Sequence, residues 1–85
     1  MLENSRKLEI EKKVIGHLKR ITCATDEITV NDSLESLQVN SIMFIKIIIA
    51  LEEEFDIEFS DDKLLITAFP CVNDFVIYLE ECLEQ

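Results

Sequence analysis

The stretch that decides the fold covers residues 40–55 and reads NSIMFIKIIIALEEEF. Its apolar residues recur at the spacing of one helix face at Ile45, Ile48, Leu51 and Phe55, with Ile47 beside them. Many of these residues are β-branched, so a buried strand is the alternative, but the length of the run and its acidic end favour a helix. Asn40 is a suitable N-cap, and we therefore predict a helix over residues 41–55.

Helical spacing predicts two further main helices, one on each side of this stretch. A helix over about residues 4–21 has an apolar face made of Ile10, Val14, Leu18 and Ile21, with Ile15 widening it. A helix over about residues 71–83 has on one side Val72, Phe75, Val76, Leu79, Cys82 and Leu83. A short helix is expected over residues 61–66, in the segment that Pro70 ends.

Residues 22–40 separate the first two helices and show no sustained helical spacing. A connection of this length is uncommon in a small domain unless it packs internally. The apolar residues expected to hold it against the core are Ile28, Val30, Leu34, Leu37 and Val39, and those expected to anchor the later connector are Ile57 and Phe59. We predict one all-α domain over residues 1–85, with three main helices, one short helix and a long first loop.

Composition and charge restrict the partners of such a domain. The 85 residues include 8 Lys and Arg against 18 Asp and Glu, a formal net charge of −10, and 48% are apolar, too many for a disordered acidic tail. The first 20 residues hold six basic and three acidic groups, so the excess of acids lies in residues 21–85. Such a chain is not expected to bind nucleic acid or an anionic membrane, and its partners are expected to carry positive patches.

The sequence contains no recognisable enzyme or metal-site motif. Cys23, Cys71 and Cys82 have no Cys-x-x-Cys spacing, and we expect three buried thiols in a reducing cytosol. His17 is expected on a helix surface, with no nucleophile to activate. The acidic segment 56–67 lacks Gly and Glu where a calcium-binding loop requires them. Without an apolar signal segment or a bilayer-length run, the protein is expected to be cytoplasmic. Because no nucleophile–base pair can be assembled, it is not expected to be an enzyme.

Ser41 differs from these residues because it lies at the predicted start of the most apolar helix. A helix N-terminus presents unpaired N–H groups and the positive end of the helix dipole, which favour a phosphate group. From this position alone, a capping or first-turn role is the simpler interpretation. The surrounding residues favour a different role.

Those residues resemble the acyl/peptidyl carrier protein family. The family has a Leu-Gly-x-Asp-Ser-Leu motif at the start of its second helix, where this chain has Leu37-Gln38-Val39-Asn40-Ser41-Ile42. A Leu-Glu-Glu-x-Phe-x-Ile motif ends that helix, where this chain has Leu51-Glu52-Glu53-Glu54-Phe55-Asp56-Ile57. The similarity continues into the last helix, at Phe69-Pro70-Cys71-Val72 and Asp74-Phe75, and covers about residues 8–83.

The resemblance implies a four-helix carrier bundle in which Ser41, preceded by Asn40, accepts 4′-phosphopantetheine from coenzyme A. A separate phosphopantetheinyl transferase would attach this arm, and its terminal thiol would hold an acyl or aminoacyl group as a thioester. The protein, a monomer, would receive that group from an acyl- or aminoacyl-loading enzyme and present it to synthase or condensing enzymes. The resemblance implies no catalytic residue and no metal in the chain itself.

Several positions depart from the family pattern. Gln38 replaces the usual Gly and Asn40 the usual Asp, although Asn also caps helices. Lys46 stands where fatty-acid carriers usually have an acid, close to Met43 and Phe44, which either pack under the loop or form an exposed apolar patch. The residues expected to form the partner-binding face are Ile42, Met43, Phe44, Lys46, Glu52, Glu53, Glu54, Asp56 and Glu58.

These features favour a freestanding carrier for peptide- or polyketide-type secondary metabolism. A carrier for fatty-acid synthesis is one alternative. An interaction module with the carrier fold but no prosthetic group is another, and it is motivated by Gln38 and Asn40. The third is an acidic helical adaptor whose likeness to carriers is accidental.

Overall fold

The chain folds into three α-helices, and the structure, a computed structural model, describes residues 2–24 and 27–83, with side chains from Arg6 onward. Helix α1 spans Leu2–Thr22, α2 spans Ser41–Phe55 and α3 spans Val72–Leu83. Two 3₁₀ turns, Asp61–Lys63 and Ile66–Ala68, stand where the sequence suggests one short helix. The described residues contain no strand, which confirms the all-α prediction; residues 25–26 of the predicted loop lie outside them.

Helix α2 buries one face, which includes the predicted Ile47, Ile48 and Leu51 but has Phe44 in place of Ile45. Phe44, Ile47, Ile48 and Leu51, spaced i, i+3, i+4 and i+7, are buried. Phe44 is only 2% exposed, so the prediction that it lies on the partner-binding face is wrong. Ile45 was expected in the core but is 45% exposed. Apolar residues surround the whole first half of α2, so their spacing alone fits more than one inward face.

Helices α1 and α3 complete the core around α2. α1 packs against both other helices, and its buried residues include the predicted Ile10, Val14 and Leu18. In α3 the predicted apolar face is buried at Val72, Phe75, Val76 and Leu79. The rings of Phe69 and Phe75 stack with centroids 4.5 Å apart, and the Phe44 ring lies 6.2 Å from each. Since aromatic side chains contribute large apolar areas, this cluster joins α2 to α3.

The first loop is held against the core by side chains and by its backbone. As predicted, its buried side chains include Ile28, Leu34 and Val39. The carbonyl oxygens of Asp32 and Val30 accept the N–H groups of Val72 and Asn73, at 3.0 and 2.9 Å. These two N–H groups lie in the first turn of α3, where a helix offers no partner of its own. The loop therefore caps α3.

The cysteines are less buried than expected. Cys23 is exposed and Cys71 and Cys82 are half-buried, so the prediction of three buried thiols is wrong. Cys23 comes directly after the last residue of α1, so it lies beyond the apolar face of that helix, and its backbone is left-handed, φ 56°. Cys71 comes directly before α3, and its N–H donates to Asp74 Oδ2 at 2.9 Å.

Candidate functional site

Ser41 is the first residue of α2, and its side chain is exposed. Asn40 caps the helix: its backbone is extended, and its Oδ1 accepts the N–H of Met43 at 2.8 Å. The carbonyl oxygen of Asn40 accepts the N–H of Phe44, also at 2.8 Å, which begins the hydrogen-bond pattern of the helix. The predicted N-cap is confirmed, and it fixes the start of α2 at Ser41.

The start of α2 has the electrostatic character of an anion site. A helix leaves its first N–H groups without carbonyl partners, so those of Ser41 and Ile42 have none within α2. The first turn of α2 contains no acidic residue that would offset the positive end of the helix dipole. A phosphate ester on Ser41 Oγ would lie beside favourable N–H dipoles, with no carboxylate from that turn to repel it.

Gln38, three residues before Ser41, has a left-handed backbone with φ 60°. Its N–H donates to the carbonyl oxygen of Glu35 at 3.0 Å, and the N–H of Val39 donates to that of Leu34 at 3.0 Å, which closes a tight turn. This torsion is strained for a residue with a Cβ atom and accessible to glycine. Gln38, which replaces the Gly expected from the family resemblance, therefore adopts a backbone that Gly would favour.

A cleft of about 390 Å³ opens between the first loop and the segment that leads into α3. Its lining residues are Ser33, Leu34, Glu35, Val39, Ile66, Thr67, Pro70 and Cys71. Since Val39 is two residues before Ser41, one wall of the cleft leads directly into α2. The sequence did not predict this cleft, because its walls are far apart in the chain and neither carries a motif.

The first half of α2 presents an apolar surface next to Ser41. Ile42 is 70% exposed, and Lys46 is exposed one turn later, whereas Met43 is half-buried against the core. Ile45 and Ile49 belong to the same surface, with exposures of 45% and 49%. Neither isoleucine was predicted for the partner-binding face, because Ile45 was assigned to the buried side of α2 and the apolar spacing of this helix fits more than one inward face.

Two of the five acids expected to meet partners are already engaged within the chain. Glu52 Oε2 accepts the N–H of Phe59 at 2.9 Å and so holds the connector after α2. Glu54 Oε1 lies 3.1 Å from His17 Nε2, and Glu54 Oε2 lies 3.3 Å from Lys13 Nζ, both on α1. The hydrogen bond from His17, followed by that from Lys13, lowers the pKa of Glu54.

The other three acids remain available to a partner. Glu53, Asp56 and Glu58 are exposed, and none of them forms an ion pair within the part of the chain that the structure describes. His17 was expected on the helix surface, but its side chain is only 14% exposed and is held between α1 and α2. Because Glu52 and Glu54 are engaged within the chain, the acidic surface at the end of α2 is smaller than the sequence suggests.

Other kinds of site find no support in the described residues. Across residues 2–24 and 27–83, no group of three or more His, Cys, Asp or Glu side chains could hold a metal ion. None of the three helices, as described, is long and apolar enough to cross a bilayer. The exposed hydroxyl of Ser41 and the surface of α2 remain as the main candidates for function.

Residues 12–79 match the family model described as "Phosphopantetheine attachment site". The chain is similar to an acyl carrier protein homolog of Mycoplasma genitalium, with 38% identity over 53 residues, which is 62% of this chain and 63% of that protein. It is also similar to an acyl carrier protein homolog of Mycoplasma pneumoniae, with 32% identity over 60 residues, or 71% of each chain. No solved structure matches the chain.

The match to the M. genitalium protein thus spans less than two thirds of that protein's length. The family match, in contrast, runs from α1 into α3 and includes the start of α2. A domain of this family is the site at which 4′-phosphopantetheine is attached covalently. This chain belongs to the phosphopantetheine attachment-site family of carrier proteins.

Proposed function

We propose that this chain is a carrier protein that bears 4′-phosphopantetheine on Ser41 Oγ and shuttles acyl or aminoacyl groups between enzymes. The main support for the proposal is that the Ser41 hydroxyl is exposed at the capped start of α2. Ser41 also lies within residues 12–79, which match the family model. When attached, the arm supplies a terminal thiol that holds the cargo as a thioester. A hydroxyl is required at residue 41 because the link to the protein is a phosphodiester.

The chain's own residues would position and present this arm. Asn40 holds the first turn of α2 in place through its contact with the Met43 N–H. The free N–H groups of Ser41 and Ile42 and the helix dipole would stabilise the negative charge of the phosphodiester. Ser41 is exposed, so a phosphopantetheinyl transferase could reach its hydroxyl without opening the core. In this account the protein is a substrate of its partners and performs no catalysis.

The enzymes that load and use the cargo are proposed to approach the surface of α2. They comprise an acyl- or aminoacyl-loading enzyme and synthase or condensing enzymes. Glu53, Asp56 and Glu58 are available to basic groups on such partners, and long-range attraction would raise the association rate. Glu52 and Glu54 would contribute less, because their carboxylates are engaged with the chain itself.

Among pathway types, we favour peptide- or polyketide-type secondary metabolism over fatty-acid synthesis. Lys46 stands at a position where fatty-acid carriers usually have an acid, and exposed isoleucines surround it. A surface of this composition suits partners that bind through apolar contacts as well as charge. Loading assays with an aminoacyl-adenylating enzyme and with a fatty-acyl-loading enzyme would separate the two: transfer from the second alone would favour fatty-acid synthesis.

The proposal is tested by incubating the purified protein with coenzyme A and a broad-specificity phosphopantetheinyl transferase. Intact mass spectrometry should show the addition of one phosphopantetheine group to the wild type and none to Ser41→Ala. Ser36→Ala, which removes an exposed serine of the first loop, is the matched control and should be modified like the wild type. An unmodified wild type, or a Ser41→Ala variant that still gains the group, would overturn the proposal.

A further inference from the structure

The outward side of α2 combines apolar side chains with two opposite charges. We define the α2 face as Ile42, Ile45, Lys46, Ile49 and Glu53, which share one side of the helix by their spacing. All five are exposed, and they lie opposite the buried side of α2. Three exposed isoleucines on adjacent turns form a contiguous apolar strip, which is unusual on a surface that needs no partner.

The two charges of the α2 face are free and lie in a fixed order. Neither Lys46 nor Glu53 forms an ion pair among the described residues, although this chain has 18 acidic groups. They are seven residues apart, so their Cα atoms are separated by about 10 Å along the helix axis. The positive charge is nearer to Ser41 and the negative charge is nearer to the end of α2.

A protein that covers the isoleucines must also approach Lys46, because Lys46 lies between Ile42 and Ile49 on the same side of the helix. A cation that loses water without gaining an acidic partner is strongly disfavoured. The same argument requires a cation opposite Glu53. The order of the two charges along the helix therefore specifies the orientation of the partner as well as its composition.

We propose that the α2 face binds a partner enzyme through an apolar surface that carries a carboxylate near the Ser41 end and a cation near the other end. The proposal rests on the carrier function proposed above. It adds the chemistry of the partner surface that contacts α2. It differs from a recognition surface that is positively charged throughout, because such a surface would repel Lys46.

A second copy of this chain is a less suitable occupant. Two α2 helices packed antiparallel would match Lys46 with Glu53, but each chain carries a formal net charge of −10. The free acids Asp56 and Glu58 follow directly after α2 and would be brought towards the other acidic chain. Net charge of one sign opposes self-association.

The test uses the phosphopantetheinyl transferase of the source organism, which must approach α2 to reach Ser41. Initial rates over a range of carrier concentrations give KM and kcat for the wild type, Lys46→Glu and Ile49→Ser. Each substitution should raise KM about fivefold or more, while kcat changes by less than about twofold, because docking is weakened and the reacting hydroxyl is untouched.

Two matched controls separate this surface from general effects. Lys12→Glu makes the same charge change on the exposed side of α1, and Ile77→Ser removes an isoleucine of α3 that is 44% exposed. Both should keep the wild-type KM. Circular dichroism and the urea midpoint establish that each variant is folded.

The outcomes distinguish this inference from the carrier function. If the wild type is modified and Lys46→Glu has an equal or lower KM, the charge-ordered partner surface is wrong while the carrier function stands. If the wild type sediments as a dimer and Lys46→Glu sediments as a monomer, the α2 face binds a second copy of this chain, and the proposal of a partner enzyme is wrong. A wild type that no transferase modifies contradicts the carrier function, and with it the inference.

Discussion

His17 Nε2 lies 3.1 Å from Glu54 Oε1 and joins the middle of α1 to the end of α2. Arg20 Nη2 lies 2.7 Å from the other ring nitrogen of His17, Nδ1. Since a guanidinium group only donates, Nδ1 is the acceptor, and Nε2 carries the proton that is donated to Glu54. Lys13 adds a second contact to the same carboxylate. These contacts hold the last turn of α2 against α1.

The contact of Glu54 with His17 and Lys13 should make the stability of the fold depend on pH. The pKa of Glu54 is lowered from its ordinary value of 4.5, so its ionised form is favoured in the folded state. Its contribution is therefore fully present above pH 4.5 and is lost as the pH falls through the lowered folded value. We expect Glu54→Gln to have a lower Tm than the wild type at neutral pH, and this difference to shrink as the pH falls below 4.5.

Glu53→Gln is the control for that experiment. It removes the same charge one residue earlier, from a side chain without an ion pair among the described residues. Both substitutions relieve the unfavourable interaction of an acid with the C-terminal end of the helix dipole, so comparing them cancels that effect. Equal Tm values for the two variants at neutral pH would show that the contact with α1 does not stabilise the fold.

We expect the substitution of Gln38 by glycine to make the protein more stable. Its φ of 60° is strained for a residue with a Cβ atom. Glycine relieves that strain but makes the unfolded chain more flexible, so we expect Gln38→Gly to raise the free energy of unfolding by about 0.5–1 kcal/mol. Gln38→Val, which is β-branched, should lower it. Urea unfolding measures both, and a Gln38→Gly variant less stable than the wild type would refute the left-handed backbone.

The orientation of α2 is tested by two neighbouring residues. Phe44 is buried among aromatic rings, so Phe44→Ala should lower the free energy of unfolding by about 3–5 kcal/mol. Ile45 is 45% exposed, so Ile45→Ala should lower it by less than about 1 kcal/mol. The reverse order of the two effects, measured by urea unfolding, would place Ile45 in the core and contradict the observed rotation of the helix.

The N-cap of α2 can be measured separately from any modification. Asn40→Ala removes the acceptor of the Met43 N–H and should lower the free energy of unfolding by about 1 kcal/mol. Asn40→Asp keeps an acceptor and adds a charge that suits the helix N-terminus, so it should be as stable as the wild type or more so. If Asn40→Ala unfolds at the wild-type urea concentration, the capping contact contributes nothing to stability.

Much of the fold could be predicted because the faces of α1 and α3 each have one clear interpretation. Ile10, Val14 and Leu18 alternate with charged residues, so only one side of α1 can face the core. Helix α2 has isoleucines on every side, and its rotation is decided by the aromatic neighbours of Phe44, which come from distant parts of the chain. No local pattern contains that information.

In the candidate site, too, local features could be predicted from the sequence and contacts between distant residues could not. The start of α2 at Ser41 and its cap could be inferred because both are local features, whereas the attachment role of Ser41 came from the family resemblance. The engagement of Glu54 could not, because its partner His17 is 37 residues away and belongs to another helix. Likewise, the acidic run 52–54 suggests a uniform surface in the sequence, but Glu52 contributes less to that surface because its carboxylate accepts the Phe59 N–H.

The most direct test of the carrier account is to locate the modification in the sequence. After reaction with coenzyme A and a phosphopantetheinyl transferase, tandem mass spectrometry of the proteolysed protein identifies the residue that bears the added group. We expect all of the added group on Ser41 and none on the nearby Ser33 or Ser36. A phosphopantetheine group on another serine, or on none, would contradict the carrier account.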